Sequence, residues 1–146
     1  MTRLVETAHT SLDPAAAFAK VAEFANIEQW DPGVTRSVKV SPGPTDVGTS
    51  YALELEYGGR KLDMTYTVTE YRPNERVVLR SHGGRVEAVD TITFGANGAG
   101  TLVTYEADLQ LTGMGRLVQP LLKNRLEAIG RAAGDGLREW LAGLEG

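Results

Sequence analysis

Apolar residues in the last third of the chain recur every three or four positions. Between residues 114 and 144 these residues are Val118, Leu122, Leu126, Ile129, Ala133, Leu137, Trp140 and Leu144. This spacing places them on one stripe of an α-helix. The sequence therefore predicts one long helix, with Trp140 as a packing residue. The start of the helix is left open, because Pro120 would kink a helix that began at Met114.

Gly130, Gly134 and Gly136 are unusual inside this predicted helix, where each costs about 1 kcal/mol relative to alanine. Gly130 and Gly134 are four positions apart and therefore share one face. We interpret them as a close approach of the helix backbone to the sheet or to the short helices described below. A local break in the helix is the alternative.

Most of the chain between residues 34 and 111 alternates apolar and polar residues with period two, which is typical of half-buried strands. Tyr51, Leu53, Leu55 and Tyr57 share one strand face, and after Gly58-Gly59 the returning strand continues it with Leu62, Met64, Tyr66 and Val68. Further strands are predicted at 34–40, 77–79, 86–94 and 102–111. Because tight turns join them, the strands form an antiparallel meander.

The first thirty residues predict one strand and two short helices. Residues 3–10 read as the strand. Asp13 as N-cap and Pro14 at the first helical position begin a helix that continues over 15–24. A second brief helix over 25–30 ends at Asp31-Pro32-Gly33. The fold class is therefore α+β, with an antiparallel sheet of about seven strands and a long C-terminal helix.

Length and composition narrow the possible functions. A chain of 146 residues is expected to form one domain, 1–146. A net charge of −4 argues against a nucleic-acid partner, and no apolar run reaches the ~18 residues needed to cross a bilayer, so we expect no integral membrane contact. The absence of cysteine excludes disulfides and a thiol nucleophile and favours a cytoplasmic protein. Both a monomer and a homodimer remain open.

Catalytic motifs are missing. The only imidazoles, His9 and His82, are not spaced as metal ligands, so we expect no metal ion and no cofactor. His82, beside Gly83-Gly84, reads as a solvated turn residue, with a role in proton transfer as the alternative. No GxSxG sequence marks a serine hydrolase.

The strongest candidate for chemistry is Asp90, which shares parity with Ala88, Ile92 and Phe94 and therefore faces the apolar interior. A carboxylate there needs a partner or a raised pKa, and Arg36 is the proposed countercharge. A bulge that keeps Asp90 in water is the alternative.

Other polar residues are weaker candidates for ligand contact. Tyr51, Tyr57, Tyr66 and Tyr105 face inward and could hydrogen-bond a ligand oxygen, or they could be ordinary core residues. Arg125 lies one position from the apolar stripe, where it could pair with an acidic ligand or extend to water. Arg116, Lys123 and Arg131 fall on the polar helix face, for which a solvated surface is favoured over contact with anionic lipid headgroups.

Several structural motifs together resemble a known family. They are Trp30-Asp31-Pro32-Gly33-Val34, Gly48-Thr49, Tyr71-Arg72-Pro73, Asp90-Thr91-Ile92-Thr93-Phe94, and Gly100-Thr101 with Tyr105. With the order of elements, they resemble the helix-grip fold of the START-like SRPBCC superfamily, the polyketide cyclase/dehydrase and lipid-transport proteins. The resemblance implies a curved sheet around the long helix and a hydrophobic cavity between them. Some members are cyclases and many only bind.

The leading hypothesis is a carrier of a small hydrophobic molecule. The predicted lining of its cavity is Tyr51, Leu53, Leu55, Met64, Tyr66, Ile92, Tyr105, Leu122, Leu126 and Ile129, with Arg125 at the mouth. The rival is an aromatase/cyclase-like enzyme in which Asp90, Arg36 or a tyrosine moves protons. A third hypothesis is a structural or regulatory protein whose cavity is filled by its own side chains.

Overall fold

A computed structural model describes residues 1–81 and 84–145. Within these residues seven strands form one antiparallel sheet, in the order β1-β7-β6-β5-β4-β3-β2. The strands are β1 (Thr2–Thr10), β2 (Val34–Lys39), β3 (Ser50–Tyr57), β4 (Arg60–Arg72), β5 (Arg76–Ser81), β6 (Val86–Asn97) and β7 (Gly100–Leu111). The predicted meander is confirmed, and β1 pairs with the far edge of β7.

Two short helices lie between β1 and β2, as predicted. Helix α1 (Pro14–Val21) begins at Asp13, whose carboxylate accepts a 2.8 Å hydrogen bond from the Ala16 amide. A 3₁₀ helix follows at Phe24–Gln29. Phe18 of α1 packs edge-on against Phe94, with ring centroids 5.1 Å apart. The short helices therefore fill one end of the sheet with aromatic side chains.

The C-terminal helical segment is continuous over 31 residues, but it is not one regular α-helix. It comprises α2 (Gly115–Val118), a 3₁₀ turn (Gln119–Leu122) and α3 (Lys123–Glu145). The tighter turn contains Pro120, which cannot donate an α-helical hydrogen bond. No helix among the described residues is both long and apolar enough to cross a membrane.

Gln119 attaches this 3₁₀ turn to the sheet. Its buried amide oxygen accepts a 2.9 Å hydrogen bond from the Leu111 amide, and its nitrogen donates to the Leu109 carbonyl and the Thr2 hydroxyl, both at 2.9 Å. Because these groups belong to β7 and β1, one side chain joins the start of the helical segment to two strands.

Helix α3 packs closely on β1 and on the end of the 3₁₀ helix, and its glycines allow both contacts. A Cβ at Gly130 would lie 3.1 Å from the Leu4 side chain, and a Cβ at Gly136 would overlap the Trp30 carbonyl oxygen. Arg138 adds a 2.7 Å hydrogen bond to the Thr7 carbonyl. The predicted close approach of the helix backbone is confirmed.

The buried stripe of α3 is rotated from the predicted one. Ala133, Leu137 and Leu141 are fully buried, whereas Trp140 is half-buried and packs against the edge of the core. Trp140 is therefore a packing residue, as predicted, but it does not lie at the centre of the stripe. The contact of Gly130 with β1 sets the rotation of the helix, and this places Trp140 at the border.

A β-bulge changes the facing of β2. The register shifts between Val34 and Arg36, so Val34 and Ser37 are buried while Arg36 and Val38 face water. Arg36 therefore faces away from the interior, because the extra residue reverses the alternation, and the prediction that it is the countercharge of Asp90 is wrong.

We expect Gly136→Ala to destabilise the protein by roughly 1 to 3 kcal/mol, because the new methyl group would meet the Trp30 carbonyl, which is backbone and cannot turn aside. Gly143→Ala is the matched control on the same helix, where the methyl group meets no atom within 4 Å and should stabilise slightly. Chemical denaturation of both variants measures the difference. Equal stability of the two variants would contradict the close contact.

Candidate functional site

Asp90 occupies the middle of the inner face of β6. Ala88, Asp90 and Ile92 are all buried, and Asp90 is 2% exposed. The alternation along this strand is therefore unbroken, as the sequence predicts, and the bulge alternative is excluded. The carboxyl group lies in the interior, between the sheet and the segments that cover it.

The contacts of Asp90 leave half of its carboxyl group unpaired. The Tyr105 hydroxyl donates a 2.7 Å hydrogen bond to Oδ2, whereas Oδ1 is buried with no partner among the described residues. Burial raises the pKa of Asp90 to about 7, the Tyr105 hydrogen bond lowers it in part, and the negative charge of Asp31 raises it further. Near neutral pH this carboxyl group can therefore either donate or accept a proton.

A second buried carboxyl group, Asp31, belongs to the same site. Its Oδ1 accepts a 2.9 Å hydrogen bond from the Gly33 amide, and burial raises its pKa to about 6. Asp31 also lines a surface cleft of about 710 Å³ between the 3₁₀ helix at Phe24–Gln29 and α3. It is thus placed between the interior and solvent.

Aromatic rings surround the two carboxyl groups. Trp30 packs edge-on against Tyr105, with ring centroids 5.3 Å apart, and Tyr57 lies against Gly33, where a Cβ would overlap its ring. Burial, and after it the charges of Asp31 and Asp90, raise the pKa of the Tyr57 hydroxyl well above its ordinary value. The tyrosine therefore stays protonated and can donate a hydrogen bond.

We call this set the Asp90 cluster. Its members are Trp30, Asp31, Tyr57, Tyr66, Asp90 and Tyr105. Sequence reasoning points to Tyr57, Tyr66, Asp90 and Tyr105 but misses Trp30 and Asp31, which it assigns to a helix end. The signal that could find them is the Trp30-Asp31-Pro32-Gly33 motif, whose local pattern predicts only a turn.

The inner face of the sheet is closed at one end and open at the other. The closed end lies by the 72–76 and 97–100 turns, and the open end lies by the Tyr57–Arg60 hairpin. At the open end, the apolar inner residues of the strands and the sheet-facing stripe of the helical segment are only partly buried. They are Leu62, Met64, Val86, Leu109, Leu111, Leu122, Leu126 and Ile129. Solvent-accessible apolar surface therefore remains there.

The predicted ligand-binding residues divide between these regions. Met64, Leu122, Leu126 and Ile129 lie at the open end, and Tyr66 and Tyr105 belong to the Asp90 cluster. Another four, Tyr51, Leu53, Leu55 and Ile92, are buried in the core. Their ligand contacts stay predictions.

The remaining candidates lie away from the site or outside the described structure. Arg36 is exposed on the outer face, opposite Glu54, and cannot be the countercharge of Asp90. Arg125 is exposed on α3, so its side chain is directed to water. His82 lies outside the described residues.

Residues 1–142 match the family model of polyketide cyclase/dehydrase and lipid-transport proteins. The chain belongs to this family. The predicted helix-grip fold and SRPBCC superfamily are thereby confirmed. No curated protein matches the chain by sequence.

Solved structures of low sequence identity share the fold over nearly the whole chain. The protein TTHA0849 from Thermus thermophilus has a TM-score of 0.82 at 16% identity, covering 99% of each chain. A START superfamily protein from Mycobacterium smegmatis has a TM-score of 0.79 at 12% identity, again covering 99% of each chain. The Zhui aromatase/cyclase from Streptomyces sp. R1128 has a TM-score of 0.73 at 13% identity, covering 98% of this chain and 92% of that one.

For this member of the polyketide cyclase/dehydrase and lipid-transport family, we expect Asp90 to make stability depend on pH. The folded pKa of about 7 lies above the ordinary value of 3.8, so the folded state holds a proton that the unfolded state has lost. The stability contributed by protonated Asp90 should therefore fall by roughly 2 to 3 kcal/mol between about pH 5 and about pH 8. Thermal melts of wild type and Asp90→Asn across this range isolate the effect, because asparagine does not titrate.

Asp63→Asn is the matched control, since Asp63 is exposed on the outer face of β4. Its pH profile should follow wild type, whereas that of Asp90→Asn should be flatter. Parallel profiles for wild type and Asp90→Asn would contradict a raised pKa at Asp90.

Proposed function

We propose that this chain binds a small hydrophobic molecule at the open end of the sheet. The observation that carries the proposal is the row of apolar inner residues left partly exposed there, on three strands and on the helical segment. Apolar surface that faces an interior yet stays accessible is typical of a ligand site. The family, which includes lipid-transport proteins, supports the same function.

The Asp90 cluster would supply the polar part of the site. Oδ1 of Asp90 and the ring nitrogen of Trp30 are both buried without a partner among the described residues. An unpaired buried polar atom costs free energy that a ligand oxygen can offset by hydrogen bonding. Because Asp90 is buried in this conformation, a ligand would reach it by displacing side chains of the open end.

We expect Leu126→Asp to weaken binding of the neutral hydrophobic probe N-phenyl-1-naphthylamine by roughly tenfold or more, because a carboxylate would replace apolar surface at the open end. Ala128→Asp introduces the same charge on the exposed side of α3 and is the matched control. Fluorescence titration gives both affinities, and native mass spectrometry of the purified protein identifies any molecule already bound.

Equal probe affinity in Leu126→Asp and Ala128→Asp would contradict binding at the open end. Absence of probe binding by the wild type would instead favour a structural or regulatory protein whose interior is filled by its own side chains.

The second candidate function is an aromatase/cyclase-like enzyme, and the buried carboxyl group of Asp90 is the observation that favours it. With a pKa of about 7, Asp90 could take a proton from a carbon beside a ketone and return one to the oxygen of the product. The Tyr105 hydroxyl, 2.7 Å from Oδ2, would fix the orientation of the carboxyl group. Arg36, proposed from the sequence as a proton carrier, is too exposed for this role.

Asp90→Asn separates the two functions, because it removes proton transfer while nearly conserving shape. If the protein is a carrier, the affinity for the naphthylamine probe should stay within a factor of about three and no turnover should exist to be lost. If it is a cyclase, conversion of a poly-β-ketone substrate should fall roughly a hundredfold while the substrate still binds. Turnover that survives Asp90→Asn would exclude Asp90 as the proton carrier.

A further inference from the structure

The start of the C-terminal helical segment exposes a face of large apolar side chains. Met114, Leu117, Val118 and Leu121 follow one another at helical spacing. Leu117 is 72% exposed and Leu121 is 83% exposed. We call these four residues the apolar face of the segment.

In this segment the polar side chain is buried and the apolar side chains face water, which is the opposite of a usual surface helix. Gln119, the polar residue between Val118 and Pro120, is buried and hydrogen-bonded to β7 and β1, while the leucines on either side of it point outward. The segment is therefore held in place from within, and its exposed leucines do not belong to a loosely attached end. Leucines fixed in water in this way indicate a partner surface that covers them.

Positive charge surrounds the apolar face. Residues 113–126 contain Arg116, Lys123 and Arg125 and no acidic residue, although the whole chain carries a net charge of −4. Arg116 and Arg125 form no ion pair within the described part of the chain, and Lys123 lies 3.9 Å from Glu127. The partner surface should therefore be anionic.

A cleft next to the apolar face concentrates this charge. It measures about 590 Å³ and is lined by three cations, Arg3, Arg116 and Lys123, and by one carboxylate, Glu127. Arg3 also pairs with Glu106 at 2.9 Å. Cations that flank an apolar helical face are the combination that binds the boundary between headgroups and acyl chains.

We propose that the apolar face docks on the surface of an anionic phospholipid bilayer, with Leu117 and Leu121 in the acyl boundary and the cleft cations on lipid phosphates. A second copy of the chain fits less well, because a two-fold contact would bring each cation towards its own copy. The apolar face lies beyond Leu111, at the open end of the sheet. If the proposed ligand site is correct, docking would turn its opening towards the bilayer.

Vesicle flotation tests the docking without requiring the natural ligand. Wild type should bind vesicles of equimolar phosphatidylcholine and phosphatidylglycerol and should not bind phosphatidylcholine alone. Leu117→Ser with Leu121→Ser should weaken binding roughly tenfold or more. Arg116→Gln with Lys123→Gln should also weaken it, by about fivefold for each cation.

Val40→Ser with Val47→Ser is the matched control, because these valines are 58% and 60% exposed on another part of the surface. This variant should bind anionic vesicles like wild type. The proposal is overturned if wild type floats with neither vesicle or with both equally, or if the valine control loses as much binding as the leucine variant. A wild-type dimer that binds no vesicles and that the leucine variant dissociates would assign the apolar face to a second copy.

Discussion

The backbone contact between Gly136 of α3 and the carbonyl of Trp30 fixes the position of the helix, and much of the structure follows from it. This contact brings α3 close to the end of the 3₁₀ helix, and Gly130 against Leu4 brings it close to β1. Each glycine costs about 1 kcal/mol of helix stability. Burial of Leu137 and Leu141, at roughly 1.5 to 3 kcal/mol each, offsets that cost. Because the helix lies on the β1 side of the sheet, it leaves apolar surface accessible near the Tyr57–Arg60 hairpin at the open end.

The interior is therefore asymmetric along the strands. At the closed end Phe18 packs edge-to-face against Phe94 and Tyr71, and Phe24 packs on Tyr51. These aromatic contacts account for the burial of the side chains at this end without a ligand. The Asp90 cluster lies between this filled core and the open end. The apolar face of the helical segment is at the open end too, so the surface suited to a bilayer and the opening suited to a hydrophobic ligand adjoin each other. This proximity would shorten the path through water of a hydrophobic ligand that moves between a bilayer and the site.

Regular periodicity is enough to predict the seven strands, the long helix and the inward side chain of Asp90. The differences arise where tertiary contacts override the pattern. One extra residue at the β2 bulge turns Arg36 outward, and the packing of α3 against β1 places Trp140 at the edge of the buried stripe. Asp31 is missed because Asp-Pro-Gly reads as a helix stop, and its burial depends on how α3 packs over it. The open end could not be predicted from the sequence either. Alternation shows which side chains share a face of the sheet, but it does not show how completely other segments cover that face.

A carrier and a cyclase make different demands on the Asp90 cluster. Both need apolar space, and either could orient a ligand oxygen with a neutral hydroxyl such as that of Tyr66, whose desolvation costs less than that of a carboxylate. A carboxyl group without a nearby cation lowers stability at neutral pH, because burial opposes its ionisation. Such a group can orient one ligand oxygen, and a pKa near neutral would also let it transfer a proton. The open end therefore fits either function, and Asp90 is the residue at which the two functions make different demands.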